Sequence, residues 1–142
     1  MSGFKDIGLS KELIKSIEEL GYKTPTPIQK LTINPLVRGL DRLIIAPTGS
    51  GKTMAAVLPL LERCKSEGWE GLSIIYITPL RALNRDVDRR LQDIATAIGL
   101  RVGLRHGDTT QYERTKQVKN PPHLLVTTPE TFQVMFTGHR LL

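Results

Sequence analysis

The chain has few of the residues from which disulfides and metal clusters are built. Cys64 is its one cysteine, and three histidines are spread along 142 residues. An intramolecular disulfide is therefore excluded, and no cysteine and histidine pattern has the spacing of a zinc site. We expect Cys64 to act as a small apolar side chain on a helix face.

Long apolar runs are also missing. No stretch approaches the roughly 20 apolar residues that a membrane-spanning helix needs, and Met1–Asp6 lacks the apolar core of a secretion signal. The sequence therefore predicts a cytoplasmic protein that does not bind a membrane. A length of 142 residues is enough for one globular domain with a hydrophobic core and too short for two comfortable ones.

Positive charge is in excess, and the excess is unevenly placed. The net charge is +6, with ten basic and eight acidic side chains in residues 1–80 but nine basic and five acidic in residues 81–119. This distribution suggests a polyanionic partner without establishing one, because many solvated faces are equally charged.

A glycine-rich run, Ala46–Thr53 (A-P-T-G-S-G-K-T), carries the strongest chemical signal in the sequence. Apolar residues 43–46 before it predict a short strand, and helix-forming residues 54–67 after it predict a helix. A strand, a glycine-rich loop and a helix in this order are typical of a phosphate-binding loop. Ala46 stands where the general pattern has its first glycine, and an ordinary glycine-rich turn is the alternative.

Each residue type in this run suits the binding of a nucleotide. Gly49 and Gly51 allow the backbone to turn tightly enough for successive N–H groups to point at a phosphate. Lys52 is expected to reach the outer phosphates, and the Thr53 hydroxyl is expected to ligate magnesium.

Two amphipathic helices are predicted before this loop. Ser10 caps the first, which ends at Gly21, and Thr26 caps the second, with Pro27 at its first position. Residues 21–29 contain two prolines together with an aromatic residue, threonines and a glutamine. From the residues alone, this segment is either a plain connection or an edge that binds a base.

Three further pairs of a strand and a helix are predicted downstream, with strands at residues 72–78, 100–105 and 123–127 and helices at 79–98, 111–119 and 129–137. The core candidates of the last helix are Phe132, Val134, Met135 and Phe136. Four strands that alternate with helices predict an α/β fold with a parallel sheet covered on both faces. The polar loops that begin at Pro47, Thr78, His106 and Thr127 follow these strands, so we expect them at one edge of the sheet.

These loops resemble the motifs of the first RecA-like domain, a P-loop NTPase fold, in superfamily 2 helicases of the DEAD/DEAH type. Ala46–Thr53 is similar to motif I and residues 21–29 to the Q motif, while Thr78–Leu83 is similar to motif Ia and Thr127–Glu130 to motif Ib. The resemblance extends from Phe4 to about Phe136, and the motifs occur in the family's order.

A finer resemblance is to the large helicase-related (Lhr-like) branch. Pro79–Asp86, Gly107–Thr109 and Pro121–Glu130 are similar to its P-L-x-A-L-x-x-D stretch, its G-D-T loop and its P-P-H-I-L-V-T-T-P-E run.

The resemblance implies which residues bind which ligand. The residues implied for ATP come from the Q-like segment and motif I: Phe4, Tyr22, Gln29, Ala46, Thr48, Gly49, Ser50, Gly51, Lys52 and Thr53. Gln29 would contact the adenine edge, and Tyr22 and Phe4 would stack or pack. Lys52 and Thr53 would be catalytic, with Thr53 holding Mg²⁺ through ATP.

A second set is implied for the nucleic-acid backbone: Pro79, Arg81, Gly107, Asp108, Thr128, Pro129 and Glu130. Arg81, Arg85 and Arg89 recur at intervals of four, which is also the pattern of a solvated helix face. The resemblance favours a phosphate contact at Arg81 and leaves Arg85 and Arg89 on the solvated face.

The family's motif II carboxylates, an Asp-Glu pair that ends an apolar strand, do not occur in this sequence. We therefore expect part of a longer helicase, with N-terminal helices and the Q-like segment over residues 1–40 and an incomplete RecA-like ATP-binding domain over residues 41–142. The implied partners are RNA or DNA, as a single strand or at a junction with duplex, and a second RecA-like domain of the same parent. Alone, the chain is expected to bind nucleotide weakly, to hydrolyse essentially none and to associate through uncovered apolar sheet edges.

Two other functions fit part of the sequence. A small P-loop kinase or a transport ATPase would explain Ala46–Thr53 but not the Q-like segment. A non-catalytic module that binds nucleic acid or a protein would be recognised by interactions that survive Lys52→Ala.

Overall fold

Hydroxyl caps begin the first two helices at the predicted residues. The computed structural model describes residues 3–138, with α1 at Lys11–Glu19 and α2 at Pro27–Val37. Ser10 Oγ accepts the backbone N–H of Leu13. Thr26 and Gln29 cap α2 reciprocally, since each side chain accepts the other's backbone N–H. The predicted boundaries are therefore confirmed.

The third helix, α3, spans Lys52–Ser66 and packs against α2. These helices and the short 3₁₀ turn Phe4–Asp6 belong to the first of two compact units, which divide between Gly68 and Trp69. Its core is formed by fully buried apolar side chains, among them Phe4, Leu13, Ile17, Ile33, Leu58 and Leu61. The carboxylate of Glu62 on α3 accepts the backbone N–H of Ser10 at 2.9 Å and so connects α3 to the start of α1.

The predicted strand at residues 43–46 is wrong. This segment has no regular structure, and Leu43 and Ile45 are 87% and 83% exposed. A strand is stabilised by hydrogen bonds to a neighbour, and none of the strands within residues 3–138 pairs with this segment. The apolar composition of this segment therefore indicated a strand, but composition alone does not show whether a neighbouring strand is present to pair with it.

A parallel sheet in the order β1-β3-β2 organises the second unit. Its strands are β1 at Ile74–Ile77, β2 at Val102–Arg105 and β3 at Leu124–Thr127. Three helices follow them in turn: α4 at Arg85–Ala97, α5 at Gln111–Lys119 and α6 at Pro129–Thr137. Every residue of the central strand β3 is buried, as expected for a parallel strand covered on both faces. The α/β prediction is confirmed, and within residues 3–138 three strands pair in place of the predicted four.

The helix predicted from Pro79 begins later. Leu80–Ala82 forms a 3₁₀ turn, and α4 starts after Asn84, whose Oδ1 accepts the N–H of Val87 at 2.8 Å. Because Asn84 caps α4 at this point, the helix does not extend further toward the N-terminus, although the apolar spacing continues upstream of the cap. Leu80 is consequently 55% exposed.

Core placement in α6 is also partly wrong. Met135 is buried as predicted, whereas Val134 and Phe136 are 67% and 65% exposed. Phe132 is partly exposed, and its ring lies 6.1 Å from that of Phe136. Within residues 3–138, no other element covers the side chains of Val134 and Phe136, which lie on different sides of α6.

The two outer strands of the sheet, β1 and β2, differ in the side chains found at their outer edges. Two glutamine side chains donate to carbonyl oxygens of β2: Gln92 to Val102 at 3.1 Å and Gln117 to Leu104 at 2.9 Å. The β1 strand instead exposes Ile75 and Ile77, at 40% and 45%.

No helix within residues 3–138 is both long enough and apolar enough to cross a membrane.

Substitution of Ile77 by lysine is expected to reduce self-association of the chain, because a charge at this exposed edge opposes pairing with another strand. Sedimentation velocity should show a smaller associated fraction than for the unsubstituted chain. Tyr112→Lys, at a 78% exposed site on α5, is the matched control and should leave association unchanged. Equal association in all three proteins would contradict this prediction.

His123 joins the starts of the three strands. Its backbone carbonyl accepts the N–H groups of Ser73 and Ile74, and its own N–H donates to the carbonyl of Arg101. Its buried imidazole accepts the N–H of Arg101 through Nδ1 at 3.0 Å. Burial, followed by the nearby charge of Arg101, lowers the pKa of this imidazole.

His123→Asn is expected to weaken the dependence of stability on pH. With a lowered folded pKa, the unfolded chain takes up the proton first as the pH falls below the ordinary histidine value of about 6.5. The stability that neutral His123 contributes is thus fully present above about pH 6.5 and is lost as the pH falls toward the folded pKa. Asparagine keeps an acceptor for Arg101 but does not titrate.

The measurement is urea unfolding between about pH 7.5 and about pH 5, above the range in which carboxylates titrate. The free energy of unfolding should fall less steeply in His123→Asn. Parallel curves for the two proteins would show that His123 does not carry the effect.

Candidate functional site

The glycine-rich run forms a tight turn that leads into α3. Ser50 N–H donates to the carbonyl of Pro47 at 3.2 Å, and Ala55 N–H donates to that of Gly51 at 3.0 Å. Gly49 and Gly51 have φ angles of +81° and +91°, in the left-handed region that other residues rarely adopt. The run therefore has the backbone that its glycines predict, although no strand precedes it.

The side chain of Gln29 connects this turn to the start of α2. Its Oε1 accepts the N–H of Thr26 at 3.0 Å, and its Nε2 donates to the carbonyl of Gly51 at 3.3 Å. Gln29 is 3% exposed, so these bonds are shielded from water. The Q-like segment and the glycine-rich turn are thus joined by one buried amide.

Gly51 is required by this contact as well as by its own backbone. A Cβ placed there would lie 2.6 Å from Gln29 Nε2 and 3.0 Å from Thr26 Oγ1. A Cβ at Gly49 would meet nothing within 4 Å among the described residues. The space beside Gly49 is consequently open to a ligand, whereas the space beside Gly51 is filled.

Lys52 and Thr53 are the first two residues of α3. The Lys52 ammonium donates to the carbonyl of Ala46 across the turn, and the side chain is exposed. Thr53 is partly exposed at the first turn of the helix. Ser50 Oγ is buried and has no hydrogen-bond partner within residues 3–138, and an additional oxygen ligand would satisfy it.

These groups fit a polyphosphate. An exposed ammonium, helix N–H groups, an unpaired hydroxyl and an open space beside Gly49 are the features that phosphate sites share. The described residues contain no cluster of three or more His, Cys, Asp or Glu side chains that could hold a metal ion. A magnesium ion at Thr53 would therefore need oxygens of the nucleotide as additional ligands.

The aromatic residues predicted to contact the base lie in the same unit. Phe4 is fully buried in its core, and Tyr22 is partly exposed just after α1. Gln29, Phe4 and Tyr22 are therefore placed with the glycine-rich turn in one compact unit. Contact of these side chains with adenine stays a prediction.

In the second unit, three loops follow the carboxyl ends of parallel strands and so lie at one edge of the sheet. The exposed residues among those predicted to bind nucleic acid are Pro79, Arg81, Gly107, Asp108, Pro129 and Glu130. Thr128 is 4% exposed, and its hydroxyl caps α6 by accepting the N–H of Thr131. Shared placement is confirmed for these three loops.

Arg114 was not singled out from the sequence, yet its side chain holds one of these loops. From α5, its guanidinium donates to the carbonyls of Thr109, His106 and Gly107 at 3.0–3.4 Å. Thr109 Oγ1 accepts the N–H of His106 at 2.9 Å within the same loop. An arginine nine residues after a strand gives no sequence signal of this role, because backbone carbonyls leave no pattern of residue types.

Comparison with known proteins bears on both sites. The family model described as DEAD/DEAH box helicase matches residues 26–141. The Lhr helicase/uracil glycosylase of Escherichia coli is 43% identical over 138 residues, covering 82% of this chain and 9% of that protein. The ATP-dependent helicase Lhr-Core of Saccharolobus solfataricus is 40% identical, covering 82% and 15%. The chain therefore spans less than a fifth of these relatives' length.

Solved structures give the same picture. The Mycobacterium smegmatis helicase Lhr bound to ssDNA and AMP-PNP has a TM-score of 0.76 and 35% identity, covering 91% of this chain and 18% of that one. The RNA helicase Prp28 of Chaetomium thermophilum bound to ADP has a TM-score of 0.86 and 28% identity, covering 98% and 35%.

Gly51→Ala is expected to destabilise the chain more than Gly49→Ala. Both substitutions place alanine at a positive φ, which costs on the order of 1 kcal/mol. At Gly51 the new methyl also displaces the Gln29 amide, whose two hydrogen bonds contribute on the order of 1 kcal/mol each. The free energy of unfolding, measured with urea, should therefore be lower for Gly51→Ala. Equal losses in the two variants would show that the bond from Gln29 does not stabilise the turn.

Proposed function

Because the chain belongs to the DEAD/DEAH box helicase family, we propose that it supplies the N-terminal, nucleotide-binding part of an ATP-dependent nucleic-acid helicase. Its parallel sheet and flanking helices are those of a RecA-like helicase domain. The observation that carries the proposal is the glycine-rich turn at the start of α3, with its buried link to Gln29. A generic glycine-rich turn would not need that link.

The residues of the turn suggest how ATP would be held. Backbone N–H groups at the start of α3 and the Lys52 ammonium would bind the phosphates, and Lys52 would exchange the Ala46 carbonyl for a phosphate oxygen. Thr53 would bind Mg²⁺ together with those phosphates, and Ser50 Oγ would gain a partner. ATP supplies the phosphoanhydride whose hydrolysis drives the helicase cycle.

The adenine contact of Gln29 has to coexist with the bonds it already makes. One lone pair of Oε1 is used by Thr26 and one hydrogen of Nε2 by Gly51. A carbonyl oxygen has a second lone pair, and the amide nitrogen has a second hydrogen. We propose that adenine binds to the remaining lone pair of Oε1 and the remaining hydrogen of Nε2. The same amide would then contact the base and hold the glycine-rich turn in its shape.

The second unit would bind the nucleic-acid strand. Of the three loops at the carboxyl edge of the sheet, the loop of Gly107 and Asp108 and most of the loop that contains Arg81 lie in residues 81–119, the segment with the greatest excess of basic residues. Contacts to phosphates carry little base specificity, so RNA and DNA are both candidates, as a single strand or at a duplex junction. The second RecA-like domain of the parent would complete the cleft, and the cytoplasm is the compartment that we propose.

Lys52→Ala in the full-length protein is expected to lower the rate of ATP hydrolysis in the presence of a single strand by about 100-fold or more, because a positive charge that stabilises the transferring phosphate is lost. Lys65→Ala, at an exposed position in the last turn of α3, is the control and should hydrolyse ATP normally. Phosphate release with and without RNA or DNA is the measurement. Full activity in Lys52→Ala, or no hydrolysis by the unsubstituted protein with either strand, would refute the proposal.

A further inference from the structure

A cleft lies beside the outer edge of β2, with α4 on one side and α5 on the other. Its volume is about 720 Å³, which is within the range of roughly 300–1,000 Å³ for sites that bind small molecules. Two helical stripes face it: Asp88, Gln92 and Thr96 from α4, and Glu113, Lys116 and Gln117 from α5. The cleft shares none of its lining residues with the nucleotide and nucleic-acid sites proposed above.

Each wall of the cleft holds a polar oxygen that is buried and unpaired. Within residues 3–138, neither Asp88 Oδ1 nor Gln117 Oε1 has a hydrogen-bond partner, and Asp88 belongs to no ion pair found among these residues. Glu113, the other carboxylate of the cleft, already accepts the N–H and the hydroxyl of Thr110. A buried acceptor without a donor is unfavourable, and a buried carboxylate more so. Both unpaired oxygens are therefore suited to a ligand that donates hydrogen bonds.

The two oxygens lie on opposite walls at the same level of β2. On one wall, Gln117 donates to the carbonyl of Leu104 at 2.9 Å. On the other wall, Gln92 donates to the carbonyl of Val102 at 3.1 Å. Asp88 precedes Gln92 by four residues, which is about 6 Å along a helix, and Leu104 lies about 6.6 Å beyond Val102 along the strand. Because a helix that leads into a strand of a parallel sheet runs antiparallel to that strand, Asp88 reaches the level of Leu104, where Gln117 also lies.

The chemistry of the cleft favours a guanidinium group. A further strand cannot pair here, because the two glutamine amides already bind the outward carbonyls of β2. A guanidinium is flat, carries a permanent positive charge and has five N–H donors directed to several sides of one plane. It can therefore donate to a carboxylate on one wall and to an amide oxygen on the other. Apolar residues beside these oxygens would cover a short methylene chain: Leu100, Val102, Leu104 and Pro122.

Basic residues of the cleft indicate what the rest of the ligand carries. Arg101 and Lys116 both line the cleft and are exposed. Arg101 precedes β2 and so lies at the end of the cleft away from Asp88. A second positive charge on the ligand would be repelled there, whereas a carboxylate would be attracted. We propose that the cleft binds a small guanidino acid, with its guanidinium between Asp88 and Gln117 and its carboxylate toward Arg101.

Isothermal titration calorimetry of the full-length protein with 4-guanidinobutyrate tests the proposal. Asp88→Asn keeps the shape of the side chain but removes its charge, so it should weaken binding by about tenfold or more. Asp93→Asn is the matched control, because Asp93 lies on the same helix, is half-exposed and does not line the cleft. This variant should bind as the unsubstituted protein does. Equal binding by Asp88→Asn, or no binding by the unsubstituted protein, would overturn the proposal.

Ligand analogues test the chemistry from the other side. 4-Ureidobutyrate has the same shape without the positive charge and should bind about tenfold or more weakly. Agmatine carries an ammonium where the acid has its carboxylate, and it should also bind more weakly. A short peptide that presents one arginine side chain tests whether the partner is a protein. Tighter binding of this peptide than of 4-guanidinobutyrate would overturn the assignment to a small molecule.

Amide hydrogen exchange locates the ligand and keeps the proposal testable if Asp88→Asn folds poorly. In the unsubstituted protein, 4-guanidinobutyrate should slow exchange in α4 and α5 and leave the glycine-rich turn at residues 46–53 unchanged. Slower exchange at the turn without any change in α4 and α5 would overturn the proposal. None of these measurements needs ATP or a nucleic-acid strand, so their failure would leave the proposed function intact.

Discussion

A single buried amide, that of Gln29, maintains the geometry on which the proposed nucleotide site depends. It satisfies the N–H of Thr26 at the start of α2 and the carbonyl of Gly51 at the start of α3. The beginnings of two packed helices are thereby fixed relative to each other by side-chain hydrogen bonds, in addition to the packing of α2 against α3. Because Gly51 has no Cβ, the amide can approach the turn closely enough to make this bond. Loss of either end would leave a buried polar group unpaired, which costs more than the bond itself contributes.

Local chemistry in the sequence was sufficient to predict most of the fold. Ser10 and Thr26 cap helices where they were expected to, and Thr110 and Thr128 cap α5 and α6 at the predicted starts of those helices. A cap is decided by residues only three positions away. The errors arose where distant or competing partners decide. Residues 43–46 have strand composition but pair with no strand among residues 3–138, and α4 begins only after Asn84 although the apolar pattern starts earlier, at Leu80. The exposed Val134 and Phe136 show the same limit, because periodicity identifies an apolar face without saying what covers it.

In the candidate site too, some residues could be predicted from their residue type, whereas contacts to the backbone could not. Motif chemistry singled out Gly49, Gly51 and Lys52 as candidates because their residue types are restricted by backbone angle and charge. The second bond of Gln29 and the loop contacts of Arg114 were not predictable, since both are made to backbone carbonyls that any residue would provide. The burial of Arg105 was not predictable either. In the sequence, an arginine in a strand is expected to point to solvent. Only the structure shows that Arg105 is buried beside Thr127.

The glutamine side chains that bind the outer edge of β2 determine on which side of the sheet a further strand can be added. Gln92 and Gln117 occupy the outward carbonyls of Val102 and Leu104 in the manner of a neighbouring strand, so this side is closed to further main-chain pairing. On the opposite side of the sheet, β1 exposes the apolar side chains of Ile75 and Ile77. A strand that joins this sheet in a longer chain or an assembly would therefore do so beside β1. The two glutamine side chains thus restrict the addition of a further strand to the β1 side of the sheet.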